Sequence, residues 1–133
     1  MTRVINLGGE GELAGAINLN LMSKDMMTNT RFGDSATLVI QSSAHQMAIG
    51  TSSVDLVVAN RFPIQYDEVV IHESGSRAPI SDLAGEIVRI LKPGGVLRFN
   101  CSSCDEASLI DALMTAGLAN VSVENRTIRG VRP

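Results

Sequence analysis

Along this chain the apolar residues fall in short runs divided by polar, glycine-bearing stretches, a pattern that predicts buried strands before it predicts helices. Arg3-Val-Ile-Asn-Leu-Gly-Gly9 and Ala16-Ile-Asn-Leu-Asn-Leu21 are the first two, with only seven residues, Gly9 to Gly15, from one to the other. A polar stretch carrying Met22, Met26 and Met27 follows, with room for a short helix and methionines suited to filling a core. Ala36-Thr-Leu-Val-Ile-Gln41 predicts a third strand. Val54-Asp-Leu-Val-Val-Ala59 predicts a fourth, bounded by Gly50-Thr-Ser-Ser and Pro63. From Pro79 the period becomes helical, with Ile80, Leu83, Ala84, Ile87, Ile90 and Leu91 on one face. Pro79 suits the first turn and Lys92-Pro-Gly-Gly95 ends the helix. Val96 to Asn100 is a fifth strand. Ser103-Cys-Asp-Glu106 has the spacing of a capping box, opening a helix with Leu109, Ala112, Leu113 and Ala116 on one face and Gly117 at its end. Val121 to Asn125 alternates as a last strand, with Thr127 to Val131 beside it. Arg61 to Arg77 fits neither period and reads as a long functional loop.

Strands alternating with helical segments predict an α/β fold: a Rossmann-like, mostly parallel sheet with helices on both faces, in one domain of 133 residues. Ligands of such sheets lie beyond the C-terminal strand ends. Those ends are Gly8 to Gly11, Asn20, Ser42 to His45, Ala59 to Phe62, and Asn100 to Cys104. Seven residues are few for a parallel crossover, so a β-hairpin through Gly8 to Gly15 stands as the alternative. Gly9-Glu-Gly-Glu-Leu-Ala14 formally fits the dinucleotide fingerprint, but the next strand begins too soon for the helix that motif must open.

Composition narrows the partners. The net charge is −3, and basic residues are scattered apart from Arg126, Arg129 and Arg132, which read as decoration of a solvated terminal strand. With no Trp, three Phe and one Tyr there is little to stack on unpaired bases, so nucleic acid is disfavoured. No apolar run approaches the roughly 20 residues of a membrane span, and nothing before Val4 resembles a secretory signal. The expected location is therefore cytoplasmic, with Cys101 and Cys104 as two reduced cysteines at a strand-helix junction. Their spacing also admits a redox or zinc site, for which His45 and His72 are the available further ligands.

Three segments carry a family resemblance: Ile5-Asn-Leu-Gly-Gly-Glu-Gly11 with Gly15-Ala-Ile-Asn-Leu-Asn20; Ala44-His-Gln-Met-Ala-Ile-Gly-Thr-Ser-Ser-Val-Asp-Leu-Val-Val58; and Glu86-Ile-Val-Arg-Ile-Leu-Lys-Pro-Gly-Gly-Val-Leu97. In order and character the chain resembles the class I S-adenosylmethionine-dependent methyltransferases, specifically the methyltransferase-11-like group, in a shortened form. The resemblance implies a fold that binds S-adenosylmethionine and transfers its methyl group to a small acceptor. It implies that Gly8, Gly9 and Gly11 admit the methionine end, that Asn20 meets the ribose, and that Ser43, Ala44, His45 and Gln46 meet the adenine. Asn60, Arg61, Phe62 and Tyr66 would face the acceptor.

Three positions depart from the family pattern. Asn20 and Ser43 stand where acidic residues are usual, and Glu10 where a small one is. An amide has one acceptor oxygen and cannot take both ribose hydroxyls as a carboxylate does, a loss of about 1–3 kcal/mol. The family's N-terminal covering helices have no counterpart before the first strand. These departures sustain a second expectation, a non-catalytic member of the fold that binds another protein, and self-association into a dimer would cover the open ligand edge.

Overall fold

The computed structural model describes residues 2–9, 12–21, 38–60, 62, 64–65, 67–71, 75–101 and 104–133. Its centre is a seven-stranded sheet of β1 (Val4–Leu7), β2 (Ile17–Asn20), β3 (Val39–Gln41), β4 (Val54–Ala59), β8 (Leu91–Asn100), β9 (Ala119–Glu124) and β10 (Thr127–Val131). The strand order is β3-β2-β1-β4-β8-β10-β9. Pairing is parallel from β3 to β8, and only β10 runs antiparallel to its neighbours β8 and β9. The parallel β1–β2 register, Ile5 opposite Ile17 and Leu7 opposite Leu19, removes the hairpin alternative. The crossover is made without a helix in its described residues, which is how so short a connection suffices.

The two faces of the sheet differ in chemistry. On one, Ile5, Leu7, Leu19, Val57, Ala59, Leu97, Phe99 and Ile128 are all buried. Helices α1 (Ile80–Ile90) and α2 (Glu106–Thr115) pack against one another and, through Leu83, Ile87, Ile90, Leu109 and Leu113, join the same core. These two helices therefore share a face. On the other, the register aligns Asn18, Asn6, Val58, Arg98, Arg129 and Ser122 in one row across the sheet. Asn6, Asn18 and Val58 of this row are buried as well, whereas Arg98, Arg129 and Ser122 are exposed.

Several local expectations are revised. The segment from Arg61 to Arg77 is no open loop. Within it β5 (Ile64–Gln65) and β6 (Glu68–Val70), with β7 (Arg77–Pro79), form a small antiparallel sheet that buries Ile64, Val69 and Ala78. Three inward residues in strands of two or three are too few to produce a recognisable period. Helix α2 begins at Glu106, and its cap is Asp105 rather than Ser103: the Asp105 carboxylate accepts from the Ala107 N–H at 3.1 Å and from the Ser108 hydroxyl at 2.9 Å. Glu106 turns to Arg126 instead, at 3.1 Å. Lys92-Pro-Gly-Gly95 does end α1, but as a bulged opening of β8. A Cβ on Gly95 would lie 2.8 Å from the Lys92 carbonyl oxygen, so no larger residue fits that bulge. Cys101 and Cys104 are paired as a disulfide, not held as separate thiols, with Cα atoms 5.3 Å apart. No group of potential metal ligands forms among the described residues, and no described helix is long and apolar enough to cross a membrane. The expected short helix around Met22 to Met27 lies outside the described residues.

Because Ile87 is fully buried at the helix-sheet junction, Ile87→Ala should lower the unfolding free energy by about 2–5 kcal/mol. The same truncation at exposed Met114 should change it by less than about 0.5 kcal/mol. Urea denaturation of the two variants checks both values.

Candidate functional site

At the C-terminal edge of the sheet the glycine turn after β1 crosses the ends of β1 and β2. Gly8 has a φ of +67°, a left-handed conformation that glycine adopts without strain. Its N–H donates to the Leu19 carbonyl oxygen at 2.7 Å, and the Gly9 N–H donates to that of Asn6 at 3.1 Å. Gly9 is buried directly above two side chains: a Cβ there would fall 2.4 Å from Asn18 Oδ1 and 2.7 Å from Asn6 Nδ2. Glycine at this point is required by close approach to protein atoms. Gly11, like Glu10, lies outside the described residues.

Beneath the turn is a small polar network. Asn6 and Asn18 are the two buried polar residues of the described chain. Asn6 Nδ2 donates to Glu12 Oε1 at 2.5 Å and reaches Asn18 Oδ1 at 3.4 Å, while Asn18 Nδ2 donates to the Leu38 carbonyl oxygen at 3.0 Å. Asn6 Oδ1 is buried with no partner, an arrangement that ordinarily costs about 1–3 kcal/mol. Asn20, at the end of β2, donates from Nδ2 to the Gly9 carbonyl oxygen at 3.1 Å. The position expected to meet a ribose is thus tied to the position expected to admit the methionine end.

The segment after β3 is a compact turn. Gln46 N–H donates to the Ser43 carbonyl oxygen at 3.3 Å, the Ala48 N–H donates to Ser42 Oγ at 3.1 Å, and Ala44 is buried. His45 is half-buried, and its Nδ1 is enclosed without a partner. The turn is held from below by α1. Glu86 Oε1 accepts from the Met47 N–H at 2.7 Å, and Arg89 closes a two-point pair with Glu86, Nε to Oε2 at 2.5 Å and Nη2 to Oε1 at 3.0 Å. Arg89 also donates to the Met47 carbonyl oxygen at 3.1 Å and to Thr51 Oγ1 at 3.2 Å. Partial burial pushes the Glu86 carboxyl up, but the Arg89 and Met47 hydrogen bonds and the nearby positive charge outweigh it and hold the group below its ordinary value of 4.5. Sequence reasoning missed the roles of Glu86 and Arg89, although their i, i+3 spacing on one helix was the available signal.

Of the residues expected to face an acceptor, Asn60 is exposed at the end of β4. Phe62 is instead a core residue, packed edge-on against Phe99 with ring centroids 5.9 Å apart and beneath Gly8. Arg61 and Tyr66 lie outside the described residues. The ends of β1, β2, β3 and β4 therefore bring Gly8, Gly9, Asn20, Ser43 to Gln46 and Asn60 to one edge of the sheet.

With the side sheet set apart, the strand order is a doubly wound order closed by an antiparallel hairpin. Solved structures are similar over nearly the whole chain. DesVI of Streptomyces venezuelae is similar with a TM-score of 0.70 at 16% identity, over 99% of this chain and 84% of that one. The TehB-like SAM-dependent methyltransferase of Corynebacterium glutamicum is similar with a TM-score of 0.68 at 12% identity, over 99% and 80%. The chain has the class I methyltransferase fold. The same methyltransferase fold is found in geranyl diphosphate C-methyltransferase of Streptomyces coelicolor A3(2), solved with Mg2+, geranyl diphosphate and S-adenosyl-L-homocysteine, at a TM-score of 0.66 and 10% identity over 100% of this chain and 74% of that one. No protein-family model matches the sequence, and comparison with curated proteins finds no relative. At these identities the likeness is one of methyltransferase architecture.

The Glu86 clamp generates a pH dependence. Its folded-state pKa lies below the unfolded value, so its stabilisation is complete above the unfolded value and is lost as pH falls through the folded one. The urea midpoint should decline on acidification below the ordinary value of 4.5, and less steeply in Glu86→Gln than in the parent chain. Equal slopes in the two proteins would remove this role.

Proposed function

We propose that this chain is an S-adenosylmethionine-binding domain that presents the cofactor's methyl group to a small acceptor at the C-terminal edge of its sheet. The observation that carries the reading is the convergence of Gly9, Asn20 and Ser43 to Gln46 from three successive strands, with Asn20 hydrogen-bonded to Gly9 at 3.1 Å. The residues fit the nucleoside half of the cofactor better than its amino-acid half. Asn20 stands at the ribose position, its amide Nδ2 donating to the Gly9 carbonyl oxygen, and His45 carries an unpartnered buried nitrogen in the segment assigned to adenine. The Gly8 and Gly9 N–H groups already donate within the protein, so the methionine carboxylate draws no amide from them. When bound, the cofactor supplies an electrophilic methyl group. The chain's own part is to orient it and to exclude water around it.

The same two engaged amides favour a second reading, a methyltransferase-fold module that binds another protein and no cofactor. Calorimetry separates the two. On the first reading S-adenosylmethionine and S-adenosylhomocysteine bind with micromolar affinity, and Asn20→Ala weakens both roughly ten-fold. Because little holds the amino-acid end, 5′-methylthioadenosine should bind within about ten-fold of the full cofactor. Absent or millimolar binding of all three supports the interaction module.

A further inference from the structure

The second face of the sheet holds a charge arrangement that neither folding nor cofactor binding uses. Arg98 on β8 and Arg129 on β10 are direct cross-strand partners, which places their Cβ atoms about 5 Å apart on one face. Like charges in that relation destabilise a sheet, and a purely structural surface would neutralise one of them. Here neither does so: both side chains are exposed, and among the described residues neither forms an ion pair or a side-chain hydrogen bond. Three other arginines, by contrast, are engaged. Arg89 holds Glu86, Arg126 holds Glu106 and the Cys101 carbonyl oxygen at 2.8 Å, and Arg132 holds Ser52 Oγ at 2.8 Å.

The free pair opens on a cavity of about 310 Å³ whose walls include Asn60, Asn100, Thr127 and, from the glycine turn, Leu13. Buried Val58 also lines it. Two planar guanidinium forks side by side match the oxygen geometry of an oxyanion, and amide and hydroxyl groups around them add uncharged donors. The overall charge of −3 and the confinement of the pair to one small recess fit an isolated anionic group and not a polymer of phosphates.

We propose that Arg98 and Arg129, with Asn60, Asn100 and Thr127, form an oxyanion-binding subsite that anchors a phosphate or carboxylate group of the acceptor. This rests on the transferase reading above and adds to it the acceptor's chemical class: a small molecule with an anionic end seated under the arginines and its reacting end directed toward the glycine turn. Leu13 links the two regions, since it belongs to the turn and to the cavity wall.

The test uses the intact chain without cofactor, titrated with inorganic phosphate, pyrophosphate and succinate at constant ionic strength set by chloride. Saturable binding of at least one is expected, weakened roughly ten-fold in Arg98→Gln and in Arg129→Gln and unchanged in Arg77→Gln, an exposed arginine of the side sheet. Thermal midpoints of the first two variants should equal or exceed that of the parent, because a like-charge repulsion is removed, so lost binding is separable from lost folding. Arg98→Lys, which keeps the charge without the fork, should bind with intermediate strength. The phosphate and succinate arms tell which oxyanion is preferred. Failure of all three anions to saturate, or equal binding by the glutamine variants, overturns the subsite. A second titration adds S-adenosylmethionine to anion-saturated protein. Independent binding supports an acceptor subsite, and mutual exclusion reassigns the arginines to the cofactor's own carboxylate and overturns the acceptor role. Anion binding in a chain that takes no S-adenosylmethionine would leave the subsite standing and remove only the transferase reading.

Discussion

Burial of one face of the sheet beneath α1 and α2 is the interaction on which the rest of the molecule depends. Ile5, Leu7, Leu19, Val57, Leu97 and Phe99 reach zero or near-zero exposure on that side, against Leu83, Ile87, Leu109 and Leu113 from the helices. Each such side chain removed from water contributes about 1.5–3 kcal/mol, far more than any single polar contact in the structure. Strand pairing follows from this, because a one-residue slip of β1 against β2 or β4 would turn Ile5 and Leu7 away from the helices and Asn6 toward them. The register of the apolar layer also fixes which residues stand at the strand ends, and so which of them meet at the C-terminal edge of the sheet.

The opposite face follows a different rule. Its central row runs from Asn18 and Asn6 through Val58 to Arg98 and Arg129, and Gly9 closes over the asparagine pair with no space for a Cβ. Here the turn after β1 is held by its own amides, by Asn20 and by Asn6. That economy of residues allows a parallel crossover without a described helix. It also engages the Gly8 and Gly9 N–H groups within the protein.

Much of this was legible in the sequence, and the reasons are physical. The helix from Ile80 to Ile90 was readable because five buried residues repeat with helical spacing between a proline and a Pro-Gly-Gly stop. β4 was readable because it is a run of apolar residues flanked by turn formers. The strand ends were readable too, and they place Gly8, Asn20 and Ser43 to Gln46 at one edge of the sheet. What escaped were features made by contacts between distant segments. The small sheet of β5 to β7 buries too few residues to leave a period, and Phe62 becomes a core residue only because Phe99 and Gly8 stand beside it. The capping residue is Asp105 in place of Ser103, and Glu106 pairs with the distant Arg126. The arginine pair of the second face could not be seen without the register that sets residues 98 and 129 opposite each other.

Arg132 has a consequence for how one end of the sheet is held together. Its backbone N–H donates to the Gly95 carbonyl oxygen at 2.9 Å and its carbonyl oxygen accepts from Gly94 at 2.7 Å, while its side chain reaches Ser52 and the carbonyl oxygens of Arg89 and Leu91. One residue thus rivets the start of β8, the approach to β4 and the last turn of α1. All of these lie at the rim of the sheet away from the glycine turn. The five hydrogen bonds of this one residue thus cross-link the N-terminal side of the sheet, at the opposite end of the strands from the turns after β1, β3 and β4.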